Sequence, residues 1–210
     1  MKPTRIQVLM IHGGMTFTSK RDYLNWLRRR EVVLEKEERW SDHYLARALG
    51  TRFHVIRPRM PLSENAKYDE WVIQFEKYVR LLGKKFVLIG TSLGGIFLAK
   101  YLSEHRWRKR PLATYLVCPP YDDTLPGEDL AGGFRLKGDL SLLQKNAGRL
   151  RLLFSASDDV VPSSHADKYA MRLKHADIIV YDHITGHFEV SELPEIVKMI
   201  KRDCKQHITS

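Results

Sequence analysis

The sequence predicts an α/β fold, with about six mainly parallel strands and helices on both faces of the sheet. Two observations predict it. Apolar, β-rich runs alternate with helix-period patterns along the whole chain, as strand–crossover–strand units require. Some of those runs, such as Phe86-Val87-Leu88-Ile89, are continuously apolar, which marks strands covered on both faces. A length of 210 residues suits one domain over residues 1–210 and leaves little room for a cap or a second domain.

The elements follow in order. Ile6–Ile11 is an apolar run that enters His12-Gly13-Gly14 and is expected as the first strand. Met15–Trp40 is charged and is expected to be partly helical; within it, Arg28-Arg29-Arg30 is balanced by Glu31, Glu35, Glu37 and Glu38. Asp42–Leu49 has helical spacing and stops at Gly50. Phe53–Arg57 reads as a strand ended by Pro58 and Pro61. Trp71, Phe75, Tyr78, Val79 and Leu82 recur at three- and four-residue intervals, so Tyr68–Leu82 is expected as an amphipathic helix closed by Gly83. Phe86–Ile89 is a strand, Leu93–His105 a helix, and Leu112–Val117 a strand ended by Pro119-Pro120. Tyr121–Gly148, rich in Gly, Asp and Leu, reads as a lid or a surface excursion. Leu150–Ala156 and Ile178–Tyr181 complete the sheet. A last helix covers about Leu193–Lys201, with Pro194 near its first position.

Composition narrows the function. Hydrophobic residues make up 43% and charged residues 29%, ordinary for a soluble globular chain. The two cysteines, Cys118 and Cys204, form no CxxC pair and no cluster of metal-ligand spacing. No disulfide framework, metal or organic cofactor is therefore expected, and a reducing cytoplasm is the simplest setting. The apolar run after Met1–Arg5 is too short for a signal-peptide core, and no run reaches transmembrane length, so no membrane partner is expected. A net charge of +10 raises the question of an anionic partner. The basic clusters lack the aromatic interleaving of nucleic-acid motifs, so nucleic acid is not expected. The run His105–Arg110 complements the dipole at a predicted helix end. Nothing in the sequence bears on oligomeric state.

In an open parallel sheet, ligands bind beyond the carboxyl ends of the strands. Four such ends stand out: His12-Gly13-Gly14, then Gly90-Thr91-Ser92-Leu93-Gly94, then Ser155-Ala156-Ser157-Asp158-Asp159, and finally Ile184-Thr185-Gly186-His187-Phe188. A nucleophile, an acid and a histidine thus occupy three of them, in that chain order. The GxSxG pattern suits a serine held out on a sharp strand-to-helix turn, where side chains two residues away on either side would collide. By chance about one chain in twenty of this composition has such a pentapeptide; the strand before it and the helix after it give it its weight.

These elements, together with Asp158-x-x-Val161-Pro162, resemble the four signature elements of the α/β-hydrolase superfamily, over residues 12–188. The short length is similar to the compact, nearly capless group that includes the retinoblastoma-binding serine hydrolase and its bacterial relatives. The resemblance implies an α/β-hydrolase fold and a serine hydrolase acting on a small acyl ester or activated amide. It implies Ser92 as nucleophile, His187 as general base and Asp158 as the acid that orients it, with Asp159 as the competing acid. Ser155 stands where that group often has glycine. The oxyanion donors implied are the backbone N–H of Leu93 and that of Gly14, or of Met15 one residue on. His183 and His165 are the histidines that compete with His187, and His12 is expected to support loop geometry. Met15, Phe17, Trp26, Trp40 and Leu125 are candidates for an acyl or alcohol pocket. The alternative function is a protein-interaction module that keeps the fold with a vestigial triad.

Overall fold

The computed structural model describes residues 5–35 and 37–208; the start of the chain, Met1–Thr4, lies outside them. Six strands form one all-parallel sheet: β1 (Ile6–Ile11), β2 (Phe53–Ile56), β3 (Phe86–Thr91), β4 (Ala113–Val117), β5 (Arg149–Ser155) and β6 (Asp177–Tyr181). Their spatial order is β2-β1-β3-β4-β5-β6. The chain steps from β1 outward to β2, then returns across β1 to β3 and continues the other way. That reversal opens a crevice between the carboxyl ends of β1 and β3, the place where such sheets bind ligands.

Alternation along each strand builds two cores. Ile6, Val8 and Met10 face α2 (Tyr44–Leu49) and α7 (Pro194–Asp203), meeting Leu45, Leu49, Ile196 and Ile200. Leu9, Ile11 and Leu88 face the opposite layer of α3 (Tyr68–Leu81), α4 (Leu93–Glu104), α5 (Ser141–Asn146) and α6 (Ser164–Ala170), meeting Trp71, Phe75, Phe97, Leu143 and Tyr169. Burial of each such side chain contributes roughly 1.5–3 kcal/mol. Helix α4 is buried from Leu93 to Ser103, so the helix that follows the GxSxG turn is locked in the centre of the molecule. A short helix, α8 (Lys205–Ile208), ends the described chain.

Two regions exceed what the pattern predicts. In Met15–Trp40 the helical part is α1 (Lys20–Arg29), started by Ser19, whose hydroxyl accepts the Asp22 N–H at 3.2 Å. The described residues outside α1 are irregular as far as Trp40, which is buried. The stretch Tyr121–Gly148 is an excursion packed against the body of the fold. Leu130, Phe134 and Leu140 insert into the core, the Tyr68 N–H donates to the Gly132 carbonyl at 2.8 Å, and Lys100 Nζ donates to the Arg135 carbonyl at 2.7 Å. Helix α6 has no counterpart among the expected elements, because Ser164–Ala170 is short and mixed in polarity.

Candidate active site

The turn after β3 has a steric origin. Ser92 leaves the strand at φ 51, ψ −121, in the left-handed half of backbone space that is costly for any residue but glycine. A Cβ on Gly90 would lie 2.3 Å from the Gly94 carbonyl oxygen, and one on Gly94 would lie 2.4 Å from that of Ile11. The two glycines let α4 start directly on the end of β1, with its positive dipole end at the crevice.

His187 sits on the loop after β6, between Gly186 at φ 54 and Phe188 at φ 55. Ile184 and Phe188 are buried and pin that loop to the α7 layer. Ser155 finds a use here: its hydroxyl donates to the Ile184 carbonyl at 2.5 Å, tying the end of β5 to the histidine loop. The His187 ring meets Asp158, with Nδ1 at 2.8 Å from Oδ2 and 3.0 Å from Oδ1. The Asp158 side chain is fully buried and also accepts the N–H groups of Val160 and Val161 at 2.9 and 2.8 Å. Asp159, one residue on, points to solvent. Of the competing histidines, His183 is a surface residue paired with Glu195 at 3.1 Å. His165 is buried and anchors the excursion: its Nδ1 accepts the Tyr121 N–H at 2.9 Å, and its Nε2 lies 3.1 Å from the Thr124 carbonyl. His12 spans two loops, with Nε2 accepting the Met60 N–H at 2.9 Å and Nδ1 lying 2.6 Å from the Gly13 carbonyl.

Ser92, His187, Gly13, Gly14, Met15, Trp40 and Glu128 line one open cavity of about 550 Å³. Among the described residues, Ser92 Oγ has no hydrogen-bond partner, and His187 Nε2 instead faces Cys118 Sγ at 3.6 Å. Nucleophile–base contacts commonly tighten only when substrate is bound. Burial alone would lower the His187 pKa; the sulfur of Cys118 and the carboxylate of Asp158 outweigh it and raise the ring to about 10. Glu128 reaches the same cavity from the excursion, and burial, reinforced by Asp158, raises its carboxyl above the usual range. Neither Cys118 nor Glu128 is identifiable as a site residue from the sequence, since each reaches the His187 cavity only through the fold.

The expected oxyanion donors differ in their partners. The Met15 N–H is spent on the Ser63 carbonyl at 2.8 Å, which removes Met15 from the expected set. The N–H groups of Gly14 and Leu93 have no acceptor among the described residues. Of the pocket candidates, Trp40 lines the Ser92 cavity, while Phe17 and Trp26 line an adjoining cavity of about 510 Å³ that shares Met15 and Glu128 with it. Leu125 packs against the core. A larger depression of about 800 Å³ lies at the opposite, amino ends of the strands, among Arg110, Lys145, Arg149 and Lys174, and holds none of the candidate residues. Among the described residues, no helix is long and apolar enough to cross a membrane.

Comparison with known proteins places these features. No curated protein matches the sequence significantly. Among solved structures, the ydeN gene product of Bacillus subtilis superposes with a TM-score of 0.72 at 18% identity, over 95% of this chain and 99% of that one. The 2-hydroxy-6-oxo-6-phenylhexa-2,4-dienoate hydrolase of Rhodococcus sp. strain RHA1 gives 0.67 at 14% identity, over 97% and 92%. A structure from work on LipS and LipT, two metagenome-derived lipolytic enzymes, gives 0.60 at 14%, over 99% and 94%. At these identities the likeness is one of fold. The sequence itself matches the model of the alpha/beta hydrolase family over residues 8–192. The chain belongs to the alpha/beta hydrolase family.

Proposed function

We propose that this hydrolase is a serine carboxylesterase-type enzyme of the compact group that resembles the retinoblastoma-binding serine hydrolase, acting on a small acyl ester or activated amide. The observation that carries the reading is the buried Asp158–His187 pair, held at the same sheet edge as the strained Ser92 turn. Ser92 Oγ attacks the acyl carbonyl while His187 Nε2 takes its proton. Asp158 fixes the ring by its Nδ1–H and stabilises the imidazolium that forms. Oxygen charge in the tetrahedral intermediate is met by the free N–H groups of Leu93 and Gly14 beside the start of α4, where loss of one donor costs about 10²–10³ in rate. The leaving group departs with the proton from His187, and water, activated by the same ring, then releases the acid from Ser92. Both cysteines are free, which suits a reducing cytoplasm.

The test is Ser92→Ala. It is expected to abolish turnover of p-nitrophenyl acetate and labelling by a fluorophosphonate, without loss of fold by circular dichroism. Turnover at the native rate in this variant refutes the assignment. A folded native protein that neither turns over esters nor takes the label points to the interaction module.

A further inference from the structure

His187 is placed to serve two nucleophile positions. In the register of β3 and β4, Thr91 faces Val117, so Ser92 and Cys118 are the next residues of neighbouring strands. Both leave their strands in the left-handed region, at φ 51 and φ 43. The Ser92 N–H donates to the Val117 carbonyl at 2.8 Å and joins the two turns. Both line the cavity that contains His187. It is Cys118 Sγ that Nε2 meets, while Asp158 occupies the other side of the ring. The ligating atoms of Cys118, His187 and Asp158 lie within 4.8 Å of one another. The two partners hold opposite ring nitrogens, so the array is a nucleophile–base–acid chain and not an ion cage. A role in packing would be met at less backbone strain by glycine.

We infer that Cys118 is a reactive thiol, activated by His187, whose modification by hydrogen peroxide or a soft alkylating agent silences the Ser92 site. With an alkyl iodide, sulfur attacks carbon, the carbon–iodine bond breaks, iodide leaves, and the thiol proton passes to His187 Nε2. With hydrogen peroxide, sulfur attacks one oxygen and the O–O bond breaks. Sulfur is oxidised by two electrons to a sulfenic acid, and the second oxygen leaves with the proton as water. Either adduct fills the space beside Nε2 through which the Ser92 proton must travel. Reactivity of thiols follows their neighbouring base as well as their access; Cys118 is itself buried, 2% exposed, at the wall of the Ser92 cavity, and the second cysteine supplies an internal reference. Cys204 is fully buried against α7 and the sheet, and burial together with Asp203 pushes its thiol up to about 12.

The loss of activity rests on the hydrolase reading; the reactivity of the thiol does not. The native protein is treated with iodoacetamide at neutral pH, and alkylation of each cysteine is followed by peptide mass spectrometry beside fluorophosphonate labelling of Ser92. Cys118 is expected to react at least about tenfold faster than Cys204, with Ser92 labelling falling in step. Hydrogen peroxide should give the same order of rates. His187→Gln should slow Cys118, and Cys118→Gly, which suits the left-handed turn, should make whatever labelling it shows insensitive to the reagent. Equal rates at the two cysteines, a Cys118 rate unchanged in His187→Gln, or full Ser92 labelling of alkylated protein overturns the inference. If untreated protein takes no label at Ser92, the hydrolase reading fails by itself, and the alkylation rates still decide the thiol.

Discussion

Strand β5 has a buried charge cluster near each of its ends, and the two differ in how completely they are paired. Toward the amino end, Arg151 donates through Nε and Nη2 to the Asp203 carboxylate at 2.7 and 2.8 Å and through Nη1 to Asp177 at 2.5 Å. The Tyr115 hydroxyl donates to the same Asp203 at 2.6 Å. Just past the carboxyl end, Asp158 holds one nitrogen of His187, and the other nitrogen faces a thiol and an open cavity. The first cluster is paired on every atom: each guanidinium nitrogen of Arg151 and both oxygens of Asp203 have a partner. The second leaves one ring nitrogen without a charged partner, as the proposed role of general base requires. Full pairing rigidifies, and one vacancy in an otherwise rigid pair is what makes it usable.

Substitutions can break that contrast. The largest effect is expected for Asp158→Asn, with a fall in kcat of about 10³–10⁴ and little change in the melting midpoint. Asp203→Ala should do the reverse. It leaves the buried Arg151 charge without its main partner and costs about 3–5 kcal/mol in urea unfolding, with activity per folded molecule retained. A stability loss at Asp158 equal to that at Asp203 would erase the distinction.

The two clusters also respond at opposite ends of the pH scale. Because His187 is raised to about 10 in the folded chain, the rate should climb with pH as the ring loses its proton. The stabilisation that comes from its protonation is complete below about pH 6.5, the ordinary histidine value, and is lost as pH rises through about 10. Cys118→Gly should move the rising limb of the pH–rate profile to lower pH; an unmoved limb would show that the sulfur does not hold the ring proton. Burial opposes ionisation of Asp203, yet Arg151 and Tyr115 hold its carboxyl below the usual range. Its contribution is present above the ordinary carboxylate value and lost as pH falls through the lowered one, so unfolding midpoints should drop in acid. Asp159→Ala should be the mildest change, leaving kcat/KM near the native value, because that carboxylate faces solvent.

The sheet was legible because its strands are apolar runs bounded by Gly and Pro, a pattern readable one segment at a time. The Ser92 turn was legible because its glycines are required within two residues of it. Asp158 over Asp159 was legible only through the resemblance at Asp158-x-x-Val161-Pro162, since adjacent acids differ in which one the backbone turns inward. Met15 was misplaced as a donor for the same kind of reason: its N–H is claimed by Ser63, a partner set by tertiary packing. The Cys118–His187 contact crosses 69 positions of sequence. Cys118 read alone says only that the chain can live with a free thiol.

The all-parallel topology carries a consequence for synthesis. No strand can pair with its sequence neighbour through a tight hairpin, so each pairing waits for a crossover to be made. The interior strand β1, the earliest of the six in the sequence, gains β2 about fifty residues later and its other neighbour, β3, only after about eighty. The histidine loop is pinned by α7, near the end of the described chain. A nascent or carboxyl-truncated chain would therefore expose the apolar faces of β1 and β3 while the loop that carries His187 is still unpinned. On the proposed mechanism, hydrolysis is expected only once α7 has docked, which would make activity a report on completed folding.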